Sequence, residues 1–151
     1  MKVLMVCLGN ICRSPLAQGI LENQAKEKNV KIYVDSAGTA GYHVGSPPDI
    51  RAINIAKKYG IDITNQKARK FRLEDFDNFD IIYVMDQNNY NDLLNYNINA
   101  QQAKKIILIM NEVDANSNIA VPDPYYNDGF ENVYQMLLKT CQKIIKKIES
   151  R

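Results

Sequence analysis

Val6-Cys7-Leu8-Gly9-Asn10-Ile11-Cys12-Arg13-Ser14-Pro15 is the stretch on which the reading of this 151-residue chain turns. It follows Lys2 to Val6, an apolar run of strand length, and leads into Ser14-Pro15-Leu16-Ala17, which reads as a helix start with Ser14 at N-cap and Pro15 at N1. The stretch is therefore predicted to be a loop joining a strand to a helix N-terminus. Five residues separate Cys7 from Arg13. A tight loop of that length can turn its backbone N–H groups inward as an anion nest, and the dipole of the following helix adds positive potential. A dianionic phosphate group suits such a nest, with Leu8, Gly9, Asn10, Ile11, Cys12 and Ser14 as the positions that bind it.

The same field favours the thiolate form of Cys7, and only a thiolate is a competent sulfur nucleophile. Arg13 offers a planar fork able to grip two oxygens of a phosphoryl group, which a lysine could not do. Gly9 allows positive φ and close approach of the backbone, and Asn10 tolerates left-handed geometry. The Ser14 hydroxyl can donate to the sulfur and steady it as an anion. Taken alone, a Cys at the end of an apolar strand is usually a small core residue; the adjoining Gly-Asn-Ile-Cys-Arg-Ser favours chemistry at Cys7.

The ten-residue run resembles the phosphate loop of the low-molecular-weight protein tyrosine phosphatases. The family's order of parts continues through Asp35-Ser36-Ala37-Gly38-Thr39, Pro47-Pro48-Asp49, Ala68-Arg69, Phe79-Asp80 followed by Ile81 to Asp86, and Pro122-Asp123-Pro124-Tyr125-Tyr126. A bare Cys-x5-Arg arises easily by chance, whereas the long run combined with the distant Asp-Pro-Tyr-Tyr is far more specific. The resemblance implies a cysteine-dependent phosphatase acting on phosphotyrosine and aryl phosphate monoesters of protein substrates, inhibited by phosphate, vanadate and similar oxyanions. Cys7 would attack phosphorus, Arg13 would hold the oxygens, and a phosphocysteine would form and then be hydrolysed.

Other residues take their roles from this resemblance. Asp123 between two prolines reads by itself as an ordinary Asp-Pro turn; the family places its general acid in a matching loop. Tyr125 and Tyr126 would line the cleft wall against a substrate ring, and paired tyrosines there can be phosphorylated in the family. Tyr42 and His43 match a variable rim segment on the opposite side. His43 is not expected to act as a base, since an activated cysteine needs no histidine partner. Cys12 could pack inertly under the loop or close a disulfide with Cys7 under oxidation, and the resemblance favours the redox role. Family members often carry histidine two residues ahead of the Ala-Arg dipeptide, where this chain has Gln66.

Composition fits one small domain spanning residues 1–151. A chain of this length can bury about 70% of its unfolded surface. The formal charge of +2 is too mild to point to nucleic acid, and the basic residues Lys139, Lys143, Lys146, Lys147 and Arg151 fall where cations favour a helix C-terminus. Val3 to Val6 is too short for a signal-peptide core or a membrane span. Three cysteines and one histidine form neither a disulfide framework nor a metal-ligand spacing. A cytoplasmic monomer without metal or cofactor, and without nucleic-acid or membrane partners, is expected.

The element order predicted is strand 2–6, helix 15–28, strand 30–34, a glycine-rich loop 38–48, helix 50–59, short helix 73–78, strand 80–85, helix to about 94 capped by Asp86, strand 105–109, and a long final helix capped by Asp128. In that helix Phe130, Val133, Leu137, Cys141, Ile144 and Ile148 share a stripe, so Cys141 reads as buried and inert. Four strands alternating with helices imply a single-domain α/β fold with a four-stranded, mostly parallel sheet covered by helices on both faces. Ligands bind such sheets at the carboxyl ends of strands, where Cys7 falls. Two other functions remain compatible with the loop. A thiol-dependent arsenate reductase would need relay cysteines, which are lacking between Cys12 and Cys141, and a non-catalytic oxyanion or phosphopeptide sensor would not need Asp123.

Overall fold

The computed structural model describes residues 1–151. Its centre is β1 (Lys2–Cys7), whose Val3 to Val6 are fully buried because helices cover the sheet on both faces. On one face Val3, Met5 and Cys7 meet α1 (Arg13–Glu27), α2 (Ile50–Lys58) and α6 (Phe130–Glu149). On the other, Leu4 and Val6 pack with Phe71, Phe76, Phe79 and Leu93 from the segment around α3 (Asp75–Asn78) and from α4 (Gln87–Leu94).

The sheet runs in the order β2-β1-β3-β4, with β2 at Tyr33–Gly38, β3 at Ile81–Val84 and β4 at Ile106–Leu108. Every pairing is parallel: Cys7 lies beside Gly38 in β2, Val6 beside Val84 in β3, and Val84 beside Leu108 in β4. The chain leaves β1 toward β2 through α1 and returns to the other side of β1 for β3. A crevice at this reversal of strand order, outside the carboxyl ends of the strands, is where α/β sheets take ligands. A short helix α5 (Ala100–Ala103) and a 3₁₀ turn (Ile109–Glu112), neither expected from the sequence, flank β4. No helix is long and apolar enough to cross a membrane.

Three expectations about element boundaries need correction. Ser14 is not the cap of α1: the helix begins at Arg13 with Cys12 at N-cap, because the Ser14 hydroxyl is engaged by Cys7 Sγ at 3.0 Å and by Asn10 Nδ2 at 2.8 Å. The second strand starts at Tyr33, not Val30. Val30 instead finishes the helix end, its N–H donating to Ala25 O at 2.8 Å after Asn29 takes φ 53°. Asp128 does not cap α6; Gly129 stands at N-cap, while Asp128 adopts φ 58° and donates its N–H to Pro124 O at 3.0 Å. Asp86 does cap α4, accepting from Asn89 N in a capping box.

Candidate active site

Where β1 ends, the chain turns through residues 8–12 into α1, and a cavity of about 290 Å³ opens above the turn. It is lined by Cys7, Leu8, Gly9, Ile11, Cys12 and Arg13, by Tyr42 and His43, and by Asp123, Tyr125 and Tyr126. Asn10 and Ser14, expected among the binding residues, do not line the cavity but lie behind the turn. Both are buried.

Asn10 holds the turn from behind. At φ 57° it occupies the left-handed region, as its residue type allows. Its Nδ2 donates to Ser14 Oγ at 2.8 Å and to Ser36 Oγ at 2.9 Å, and its Oδ1 accepts from Arg69 N at 3.0 Å. Ser36 in turn donates to Gln18 Oε1 at 2.7 Å. The guanidinium of Arg69 bridges Asp35 Oδ2 at 3.1 Å and the fully buried Asp75, at 2.9 and 3.1 Å. This chain of bonds ends at Cys7, whose Sγ lies 3.0 Å from Ser14 Oγ. Gln66 adds a bond from Nε2 to Pro15 O at 3.1 Å, while its Oε1 is buried without a partner.

Two glycines shape the turn. Gly9 does not take the positive φ expected of it, since only Gly45 and Gly60 among the glycines do. Its value is space: a Cβ there would lie 3.1 Å from His43 Cδ2. At Gly38 a Cβ would meet Leu8 O at 2.8 Å and Gly9 C at 3.1 Å, so the end of β2 presses directly on the backbone of the turn.

Arg13 is buried, and its Nη1 donates to Asp86 Oδ2 at 2.7 Å and to Val121 O at 3.0 Å. Its Nη2 stands 3.7 Å from Asp123 Oδ2. Burial works against its charge, but Cys7, Asp86 and Asp123 outweigh that cost and hold the guanidinium firmly cationic. Cys12 is pushed the other way. Burial, then the charges of Asp49, Cys7 and Asp123, raise its pKa, so its thiol stays protonated. Asp123 also accepts from Tyr125 N at 3.1 Å, a local turn that its flanking prolines help to fix.

Sequence reading missed several supporting residues. The sequence marks Asp86 only as a helix cap, although it stands just past the carboxyl end of β3, where functional groups gather in such sheets. Asp49 stands in the sequence reading only as part of Pro47-Pro48-Asp49, and Arg51 has no place in it; Asp49 caps α2 and donates its N–H to Ile11 O of the turn at 2.8 Å. Arg69 was quoted only as part of a dipeptide.

A parallel α/β sheet carrying a cysteine and a buried arginine with five residues between them, both lining one cavity with three tyrosines, defines a class: proteins built to hold an oxyanion against sulfur. The model for the low molecular weight phosphotyrosine protein phosphatases matches residues 2–151, and the chain belongs to that family. Among its relatives is the human low molecular weight phosphotyrosine protein phosphatase, 39% identical over 150 residues that cover 97% of this chain and 94% of the human one. The crystal structure of a protein tyrosine phosphatase from Entamoeba histolytica, with Hepes in the active site, superposes with a TM-score of 0.91 at 37% identity, covering 99% of this chain and 97% of that one. The crystal structure of YfkJ from Bacillus subtilis gives 0.93 at 36% identity, covering 99% and 95%.

Proposed function

We propose that this chain is a single catalytic domain that hydrolyses phosphotyrosine in proteins, and aryl phosphates generally, through a phosphocysteine. The observation that carries the reading is the convergence of Cys7, Arg13 and Asp123 on one cavity walled by Tyr42, Tyr125 and Tyr126. The Cys7 thiolate attacks phosphorus in line and forms the S–P bond as the P–O bond to the phenol breaks. Asp123 gives its proton to the departing oxygen, while Arg13 and the amides of the turn carry the charge on the phosphoryl oxygens. Water then attacks phosphorus, Asp123 takes its proton, and Cys7 leaves as thiolate with the Ser14 hydroxyl donating to it. Inorganic phosphate is released.

The ring-walled depth of the cavity favours the long phosphotyrosine side chain over phosphoserine. A relay-type arsenate reductase is disfavoured, since the third cysteine, Cys141, is fully buried against α1 near Ala17 O. A mere oxyanion sensor leaves Asp123 without a task. We infer a cytoplasmic monomer, with phosphate and vanadate as inhibitors.

Cys12 serves as the partner of Cys7 under oxidation. Peroxide converts the Cys7 thiolate to a sulfenic acid, being itself reduced to water, and the Cys12 sulfur then displaces hydroxide to close the disulfide. Two thiols in all are oxidised, and two electrons go to the peroxide.

The decisive experiment is hydrolysis of para-nitrophenyl phosphate with chelator present, by wild type and by Cys7→Ser. Turnover that persists with chelator and vanishes in the variant is expected. Turnover surviving the substitution would remove Cys7 from the mechanism.

A further inference from the structure

The segment 122–128, which carries Asp123, has no strand or helix of its own. Its bonds are nearly all internal: Tyr125 N to Asp123 Oδ1, Asp128 N to Pro124 O, and Gly129 N to Asn127 Oδ1. The one hydrogen bond joining it to a distant part of the chain comes from Arg51, whose Nη1 donates to Tyr125 O at 3.1 Å. The same guanidinium lies over the Tyr125 ring at 5.3 Å and over the Phe130 ring at 4.8 Å, so it ties the middle of the segment to the first residue of α6.

Arg51 is itself held. Its Nε and Nη2 donate to the two oxygens of Asp49 at 3.0 and 3.1 Å, a bidentate pairing that fixes the plane of the guanidinium. Asp49 is tied by its N–H to Ile11 O of the phosphate loop. A continuous path thus runs from Ile11 through Asp49 and Arg51 to Tyr125, two residues past Asp123.

We infer that Arg51 is a positioning residue for catalysis: held by Asp49 on the phosphate loop, it latches the Tyr125 carbonyl and ring and so sets the Asp123 carboxyl at the distance from the Cys7–phosphorus axis that proton transfer needs. The inference rests on Asp123 being the general acid. Arg51 touches no reacting atom in this scheme. Its loss would let the acid drift while leaving the phosphate loop, Arg13 and the sulfur in place. A misplacement of about 1 Å at a reacting group can cost roughly 10²-fold, and the cost falls on leaving groups that need a proton.

The test compares Arg51→Met, which keeps an apolar stem, and Arg51→Lys, which keeps charge without the fork, with wild type and Asp123→Asn. Phosphocysteine formation is followed by rapid mixing with phosphotyrosine and para-nitrophenyl phosphate. Expected for both Arg51 variants is a loss of about 10²-fold on phosphotyrosine, a much smaller loss on para-nitrophenyl phosphate, and unchanged inhibition by phosphate. Should Arg51→Met fail to fold, Arg51→Lys reads the same dependence. Equal losses on both substrates, or none, overturn the latch. Asp123→Asn separates the two ideas: sensitivity to the leaving group there but not at Arg51 sinks the latch alone, and insensitivity there sinks the acid and the latch together.

Discussion

Arg13 donates to one oxygen of Asp86 at 2.7 Å, while the other oxygen of that carboxylate caps α4 by accepting from Asn89 N at 2.8 Å. A single side chain therefore aims the arginine and starts a helix. In Asp86→Asn the oxygen can keep the cap, but the amide nitrogen then faces the Arg13 donor and the ion pair is lost. Hydrogen bonds to charged groups are worth about 1.5–3 kcal/mol, so Asp86→Asn should lose stability of that order, and vanadate affinity should fall as Arg13 loses its aim. Asp86→Ala should lose the cap as well and melt earlier still, by about 1 kcal/mol of stability. Calorimetric titration and thermal melts measure both; unaltered vanadate binding in Asp86→Asn would mean that Arg13 needs no such partner.

Asp123→Asn should slow phosphocysteine formation from phosphotyrosine by about 10²- to 10⁴-fold, the usual worth of general acid catalysis. Para-nitrophenolate departs readily without a proton and should be much less affected. The plot of log rate against leaving-group pKa should steepen, with circular dichroism and phosphate affinity near wild type. A melted structure, or equal losses for every leaving group, would make Asp123 a loop-holding residue and place the proton elsewhere.

Cys12 and Cys141 are buried, and burial is the first cause of the raised pKa of each. Cys7 is buried as well, so it is the protonated state of the other two thiols, not exposure, that should confine iodoacetamide at pH 7 to Cys7, with phosphate protecting it and the others reacting only after unfolding. After peroxide, mass mapping should find Cys7 joined to Cys12, and dithiothreitol should restore activity. Cys12→Ser should lose recoverable activity as Cys7 proceeds to higher oxidation states; equal recovery in the variant would leave Cys12 as packing only.

Glu131 accepts from Lys58 Nζ at 2.6 Å, Tyr59 OH at 2.7 Å and Gln135 Nε2 at 2.9 Å. These bonds, that from Lys58 foremost, hold its carboxyl down to about 2. An unfolded glutamate titrates near ~4.3, so this group stabilises the fold above that pH and loses its effect as pH falls toward the folded value. The network is exposed, and salt should weaken it. At low salt, wild type should melt above Glu131→Gln at pH 7, with the gap closing as pH is lowered from 4 toward 2. A gap independent of pH would assign the difference to packing.

The phosphate loop was legible because its chemistry is contiguous: Cys7, Gly9, Asn10 and Arg13 lie within one turn of chain, and strand, loop and helix follow in order. The strand pattern was legible for β1 and β3, whose buried apolar runs are continuous. It slipped at β2, where Val30 and Ile32 suggested a strand that parallel pairing with β1 instead places at Tyr33 to Gly38, with polar Asp35 and Ser36 included. Ser14 misled because a hydroxyl near a helix start looks like a cap until a sulfur 3.0 Å away claims it. Asp86, Arg51 and Arg69 were not legible as site residues. Their roles depend on which distant segments the sheet brings together, and local pattern carries no record of that.

The last helix, α6, covers a flank of α1: Leu137, Cys141, Ile144 and Ile145 share one apolar cluster with Leu16, Ala17 and Ile20. Residues 7–14 thus precede by more than a hundred positions the wall that backs their helix. Contacts so distant in sequence are made late and at the cost of a long loop closure. Without residues 130–149 the apolar side of α1, the helix that begins with Arg13 and Ser14, would lie open to water.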